Sequence, residues 1–114
     1  MKPIKAYLLK HNYCEPITID SLEGYYRAID CRLVQAVDVK LTSNTWVSCW
    51  VDEEGLFSSG IKPFWRLWNY PDPLVGNMVV TGVPDSNGCT TDAPKDFEVH
   101  VLVREQLQVI MGGG

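Results

Sequence analysis

The run from Tyr70 to Gly82, YPDPLVGNMVVTG, constrains the fold of this chain more than any other segment. Pro71 and Pro73 exclude a continuous helix, because proline lacks an amide donor and clashes with the preceding helical turn. The β-branched residues bounded by Gly76 and Gly82 predict a short, mostly buried strand, with Gly76 at a strained or crowded entry and Gly82 at its end. The chain must therefore build a sheet with this segment inside it.

The size and composition predict one small folded domain. With 114 residues, of which 46% are hydrophobic and 21% charged, the chain can bury a core without disulfide or metal support. We expect a single domain over residues 1–111, followed by a glycine tail at 112–114. A formal net charge of −4 and scattered basic residues argue against general nucleic-acid binding.

The cysteines and the N-terminus predict a cytoplasmic protein. The cysteines are Cys14, Cys31, Cys49 and Cys89. Because they form no C-x-x-C pair and no zinc-type spacing, they are expected to be free thiols in a reducing compartment. The start MKPIKAYLLKHNY lacks the pattern of a signal peptide. No stretch approaches the roughly 20 apolar residues of a membrane span.

The first third of the chain predicts a strand, a loop and a helix. Residues 4–10 are rich in strand formers, and residues 11–16 contain the turn formers that end the strand. A helix then begins after Asp20 or Ser21, with Glu23 placed as the capping-box partner of Asp20. Apolar residues recur at helical spacing, so one face of this helix is expected to pack on a sheet.

The middle of the chain predicts neighbouring strands. Residues 33–41 and 46–51 alternate in the manner of strands, with a tight turn between them. The following DEEG is expected to lead into a further strand at Leu56 and Phe57, with Gly55 in a left-handed turn. Residues 84–94 are predicted to form a polar loop.

Two further segments are predicted to be helical. Residues 62–69 have Pro63 as their second residue, a position suited to a first helical turn. Residues 94–111 fit both strand alternation and helical spacing; Asp92 as a cap, Pro94 and the sequence REQLQ favour the helix. The predicted fold is therefore α+β: a largely antiparallel sheet with two or three helices packed on one face.

Several segments together carry a family resemblance. ITIDSLEGYYRAI, VDEEGLF, DPLVGNMVVTG and a following G-x-T-T-D occur in this order. They resemble the family known as domain of unknown function 3846, small proteins common in phages and mobile elements, over roughly residues 17 to 95. This chain departs from the resembled family at two places. Asp30 and Cys31 stand where members of that family have a Gly-Gly pair, and PFWRLW stands where they have a segment of small residues and asparagine. The resemblance implies an accessory protein that binds a host protein or signal molecule.

No catalytic or metal site is predicted. Asp52, Glu53 and Glu54 have the chemistry of cation ligands or paired carboxylates, but adjacent residues in a tight turn are more typical of a solvated hairpin. His11 with Cys14 is formally a nucleophile and base pair, yet no cysteine-enzyme motif surrounds it. We expect no catalytic residues, no metal and no cofactor.

An aromatic set is the candidate binding surface: Trp46, Trp50, Trp65, Arg66, Trp68 and Tyr70. Aromatic and arginine side chains stack on flat ligands and anchor protein interfaces. On the predicted helix, Phe64, Leu67 and Trp68 point inward, whereas Trp65 and Arg66 point outward. The set is either core alone, or core together with a binding or oligomer surface.

The expected function is binding without catalysis. The leading hypothesis is a protein of a phage or mobile element that inhibits or redirects a host protein, such as a defence or nucleic-acid-processing enzyme, in the host cytoplasm. The alternative is a homo-oligomer that sequesters a small nucleotide-like signal, with Arg66 contacting the ligand. An enzyme is the third hypothesis. PFWRLW is the segment expected to carry specificity.

Overall fold

The structure is a computed structural model that describes residues 2–56 and 59–111. This part of the chain contains one α-helix, a short 3-10 turn at Val99–Val101 and eight strands. The strands are β1 (Ile4–Lys10), β2 (Tyr13–Ile19), β3 (Val34–Lys40), β4 (Trp46–Asp52), β5 (Gly60–Leu67), β6 (Leu74–Val75), β7 (Met78–Gly82) and β8 (Val103–Met111), and the helix is α1 (Leu22–Ile29). The protein is therefore mostly β, and the prediction of an α+β domain with two or three helices is wrong. The predicted glycine tail lies outside the described residues.

The strands form two antiparallel sheets. The larger sheet has the order β2-β1-β7-β4-β3, and the smaller sheet has the order β6-β5-β8. β7 lies at the centre of the larger sheet, between β1 and β4, and all five of its residues are buried. The buried strand predicted from the glycine-bounded segment is confirmed, and Gly76 before it has φ +96°, a left-handed value that favours glycine.

The end of β7 is held by the polar loop that follows it. Gly82 N donates to Thr91 O at 2.9 Å, and Ala93 N donates to Lys5 O at 2.8 Å. Asp92 Oδ1 accepts a hydrogen bond from Lys5 N at 2.8 Å. A Cβ at Gly82 would collide with Thr91 Oγ1 and Asp92 O. The loop is confirmed, and its last residues tie β1 to the end of β7.

Helix α1 forms as predicted, with one of the two predicted residues as its cap. Ser21 is the N-cap residue, and its Oγ accepts a hydrogen bond from Gly24 N at 3.2 Å. The predicted capping box of Asp20 with Glu23 is absent, since the capping residue lies one position later and Gly24 occupies the third helical position. The helix ends at Asp30, which has φ 62°. No helix in the described part of the chain is long and apolar enough to cross a membrane.

The predicted loop at residues 11–16 is wrong, because most of it belongs to β2. β1 and β2 pair along their whole lengths and form a hairpin, with Asn12 at φ 58° in its turn. Pro16 lies opposite Tyr7 on the edge strand of the sheet. A proline is compatible with an edge strand, since its missing N–H can face away from the neighbouring strand.

The two further predicted helices are wrong, because most of residues 62–69 and the second half of residues 94–111 belong to strands. Residues 60–67 form β5 and residues 103–111 form β8, and the two pair with each other from Gly60–Met111 to Leu67–Val103. The register shifts by one residue at Arg66–Leu67. Helix propensity differences are a few tenths of a kcal/mol per residue, so a partner strand and a core face override them.

The predicted hairpin after β4 is also wrong. β3 and β4 are neighbours as expected, but the chain then crosses to the other sheet. Gly55 does not have a positive φ; a Cβ at this position would lie 2.9 Å from Val75 O. Close approach of the backbone is therefore the reason for this glycine. Phe57 lies outside the described residues.

The core lies on both faces of the larger sheet. One face packs on the smaller sheet, through residues such as Val47, Val80 and Trp65. The other face packs on α1, through residues such as Tyr25 and Val79. Because β7 is covered on both faces, its apolar residues Met78, Val79 and Val80 are consecutive rather than alternating.

Candidate functional site

The chain leaves the smaller sheet after β5 and borders a surface pocket. Strand alternation turns Trp65 and Leu67 to the core and Arg66 to solvent. Beyond the strand, Trp68 is 51% exposed. The pocket has a volume of about 340 Å³. Its principal lining residues are Arg66, Trp68, Tyr70, Asp72 and Arg104, and we call it the Trp68 pocket.

Trp68 is fixed in position although its ring is exposed. Its backbone N donates to Leu102 O at 3.1 Å, and its indole Nε1 donates to His100 O at 3.0 Å. The next residue, Asn69, donates its side-chain amide to Lys40 O at 2.6 Å. These bonds satisfy the indole donor and orient the ring. A ligand therefore meets a preorganised aromatic surface.

Two arginines place positive charge at the pocket. The guanidinium carbon of Arg104 lies 5.9 Å from the centroid of the Trp68 ring. Arg66 Nε lies 3.5 Å from Glu105 Oε2, and its guanidinium carbon lies 5.7 Å from the Phe64 ring centroid. Within residues 2–56 and 59–111, no carboxylate is at ion-pair distance from Arg104. Arg104 is thus the cation of this pocket that a ligand anion can engage without displacing a carboxylate.

The structure brings together Arg66, Trp68 and Tyr70 of the predicted set. Trp65 does not join them, because it is 1% exposed in the core and its Nε1 donates to Gly76 O at 2.7 Å. The predicted directions of Trp65 and Trp68 were both wrong, since they were derived from a helix and the segment is a strand. Arg66 points outward as predicted, and half-buried Tyr70 packs against the core.

Trp46 and Trp50 belong to another part of the molecule. Trp50 packs in the core on the α1 side, where its ring stacks on Tyr25 with centroids 4.2 Å apart. Its Nε1 donates to Thr81 Oγ1 at 3.0 Å. Trp46 is 51% exposed and lies on the same face of β4 as Trp50. Neither lines the Trp68 pocket.

Like Asp72, Arg104 is a pocket residue that the predicted set lacks. It lies 36 positions after Trp68 and reaches the pocket because β8 pairs with β5. The alternation of apolar residues before Val103 fits a strand but does not identify it, because Val99–Val101 form the 3-10 turn and β8 begins only at Val103. No local pattern identifies the strand that pairs with β8, or the register of that pairing.

The other groups considered as candidate sites have structural explanations. Asp52 Oδ1 accepts a hydrogen bond from Glu54 N at 2.8 Å, as in a side-chain-stabilised turn. Partial burial raises the pKa of the Cys14 thiol, which is opposite to the change that activates a nucleophile. Burial also raises the pKa of Cys31 to about 11. The described residues contain no group of three or more His, Cys, Asp or Glu suited to a metal ion.

A second, larger groove lies between β1, β2 and the loop before residue 96. It has a volume of about 700 Å³ and is mainly apolar, and Tyr7, Ile17 and Ala93 are among its lining residues. Its carboxylate, Asp92, already accepts a hydrogen bond from Lys5 N. The Trp68 pocket is the stronger candidate, because it combines an exposed, oriented aromatic ring with Arg104, which has no carboxylate at ion-pair distance in the described part of the chain.

Comparison with known proteins gives a family. No curated protein and no solved structure matches the chain. The family model described as Domain of unknown function (DUF3846) matches residues 4–108. This match spans β1 to most of β8 and includes both sheets. The chain therefore belongs to the DUF3846 family.

Proposed function

We propose that this protein is a binding protein that takes a small, planar, anionic ligand of the nucleotide type in the Trp68 pocket. The observation that carries the proposal is the pairing of Arg104 with the exposed ring of Trp68, 5.9 Å from guanidinium carbon to ring centroid. A phosphate can bind the guanidinium while a base stacks on the indole. The proposed role is sequestration, in the cytoplasm of a bacterial host that carries the phage or mobile element.

The remaining pocket residues support the same ligand class. Arg66 provides a second cation at the rim, although Glu105 shares it. Asp72 provides a carboxylate that can accept hydrogen bonds from hydroxyl or amino groups. A volume of about 340 Å³ lies within the usual range of small-molecule sites, about 300–1,000 Å³.

A host protein is the second candidate ligand for this surface. Tryptophan and arginine dominate the energetics of many protein interfaces, and the Trp68 pocket presents both at an exposed position. On this alternative the pocket accepts one anchoring side chain, such as a glutamate or aspartate beside an aromatic residue, and binding inhibits or redirects the host protein.

The test is titration of the purified protein with mononucleotides and dinucleotides, with inorganic phosphate as a separate ligand, by calorimetry and tryptophan fluorescence. Trp68→Ala and Arg104→Ala are each expected to weaken nucleotide binding by about tenfold to a hundredfold. Arg104→Lys should recover only part of the loss, because lysine lacks the bidentate geometry of arginine.

Trp46→Ala is the matched control. Trp46 and Trp68 are equally exposed, at 51%, but Trp46 lies outside the pocket. Nucleotide binding should be unchanged in this variant. Absence of nucleotide binding at millimolar concentration, or an equal loss in Trp46→Ala, would overturn the small-ligand proposal. Capture of a host protein that depends on Trp68 and Arg104 would favour the second candidate.

A further inference from the structure

The four outer strands of the two sheets differ in how they are protected from pairing with another chain. β2 carries Pro16, β3 carries Asp38 and Lys40, and β6 has two residues. Prolines, charges and short length are the usual means by which proteins block such edges. β8 has nine residues, and its part from Gln106 to Met111 has no charge and no proline.

Backbone geometry shows which groups β8 offers to a partner. Gly76 N donates to Pro63 O at 2.8 Å, so the backbone polar groups of Pro63 face away from β8. Pro63 lies opposite Gln108, which makes this a pair without mutual hydrogen bonds. The N–H and C=O of Gln108 therefore point to the open edge, and by alternation those of Gln106 and Ile110 do so as well.

We propose that β8 pairs antiparallel with β8 of a second copy of this chain, around a two-fold axis at Gln108. In this register the two Gln108 residues exchange both backbone hydrogen bonds, and each Gln106 does the same with Ile110 of the other copy. The pairing adds about six backbone hydrogen bonds.

The side chains also suit a second copy. Leu107 lies opposite Val109 of the other copy, so apolar residues meet across the axis. Glu105 lies opposite Met111 of the other copy. The two Glu105 residues are therefore about 20 Å apart at opposite ends of the interface, and no like charges face each other. Ile110, which is 81% exposed, and Leu107, which is 43% exposed, gain neighbours.

The product is a continuous six-stranded sheet with the order β6-β5-β8-β8-β5-β6. An interface of this kind is isologous, because the same edge is used by both copies. It also ends beside the Trp68 pocket, since Arg66 of that pocket pairs with Glu105. The inference does not depend on the proposed ligand.

The first test is sedimentation velocity of the full chain over a range of concentrations. The wild type is expected to dimerise. Gln108→Lys places two lysines directly opposite each other at the axis, and it should weaken the dimer at least about tenfold. Gln108→Glu should do the same, and an equimolar mixture of the two variants should form a heterodimer.

Gln35→Lys is the matched control, because Gln35 is an exposed residue of β3, on an edge of the other sheet. It should leave dimerisation unchanged. Circular dichroism and thermal unfolding verify that each variant is folded. The proposal would be overturned by a wild type that stays monomeric, including one that pairs only with added peptides. It would also be overturned if Gln108→Lys dimerised like the wild type, or if Gln35→Lys disrupted the dimer equally.

Cross-linking gives an independent measurement. In a Cys14→Ser, Cys89→Ser background, Gln108→Cys should form a disulfide between copies under mild oxidation. Opposite residues of this pair type have Cα atoms about 5.5 Å apart, within the range for disulfides of about 4.4–6.8 Å. Gln35→Cys in the same background should stay unlinked. Cross-linking at position 35 instead would place the interface on the larger sheet and would contradict the proposal.

Discussion

The indole Nε1 of Trp65 donates a hydrogen bond of 2.7 Å to the carbonyl oxygen of Gly76. Trp65 belongs to β5 in the smaller sheet, and Gly76 lies just before β7 of the larger sheet. Both residues are buried. The bond therefore fixes the left-handed turn at Gly76 to the core that lies between the sheets.

Trp65→Phe keeps most of the ring volume and removes this bond. Because the Gly76 carbonyl oxygen is then left buried without its partner, we expect a loss of about 1–3 kcal/mol in the free energy of unfolding. Trp65→Ala should lose about 3–5 kcal/mol. Urea unfolding followed by circular dichroism measures both. Trp68→Ala, at an exposed position, should lose less, and the reverse order of stability would contradict the placement of these two rings.

Gly82→Ala is expected to destabilise the fold by about 1–3 kcal/mol, as other insertions into packed sites do. The new Cβ would meet Thr91 Oγ1 and Asp92 O, so the loop must move away from the end of β7. Thermal unfolding should show a lower midpoint. Hydrogen exchange should show faster exchange at Ala93 N, which donates to Lys5 O; a wild-type midpoint would mean that this loop is not held as described.

Gly24→Ala is expected to have the opposite effect. Gly24 lies in α1, and a Cβ there would meet Ile19 Cγ2 at 3.5 Å, an ordinary contact. Alanine also restricts the unfolded chain, so the free energy of unfolding should rise by about 0.5–1 kcal/mol. The same thermal assay compares it with Gly82→Ala. A decrease would show that the helix does not pack on β2 as described.

The buried thiol of Cys49 makes stability fall at high pH. Burial, with a smaller effect of Asp38, raises its pKa from 9.0 to about 12. Between these values the unfolded chain releases the thiol proton while the folded chain keeps it, so the free energy of unfolding decreases as pH rises. The contribution approaches about 1.4 kcal/mol per pH unit.

The measurement is urea unfolding of wild type and Cys49→Ala between neutral pH and the alkaline range. Cys49→Ala is less stable at neutral pH, because it leaves a cavity, but its stability should fall less steeply above pH 9. Cys89→Ala, at an exposed position, serves as the control and should retain the wild-type slope. If the free energies of unfolding of wild type and Cys49→Ala fell in parallel as pH rises, the Cys49 thiol would not be the group that lowers stability.

The sequence by itself determined the elements whose signals are local. β7 is bounded by Gly76 and Gly82, and α1 begins where Ser21 can cap it. β3 and β4 alternate around a short turn. Each of these depends on local backbone conformation or on the pattern of apolar residues, and both are encoded by neighbouring residues. Arg66 was also assigned to the surface, although the prediction placed it on a helix and the structure places it on strand β5.

Only the tertiary structure decided β2, β5 and β8, and with them the pocket. REQLQ has good helix propensity, and Pro16 and Pro63 are poor strand residues, yet each lies in a strand. Propensity is worth tenths of a kcal/mol per residue, whereas pairing with a distant strand supplies a ladder of hydrogen bonds and a buried face. Arg104 meets Trp68 for that reason alone: the β5–β8 register, which no local pattern specifies, brings them together.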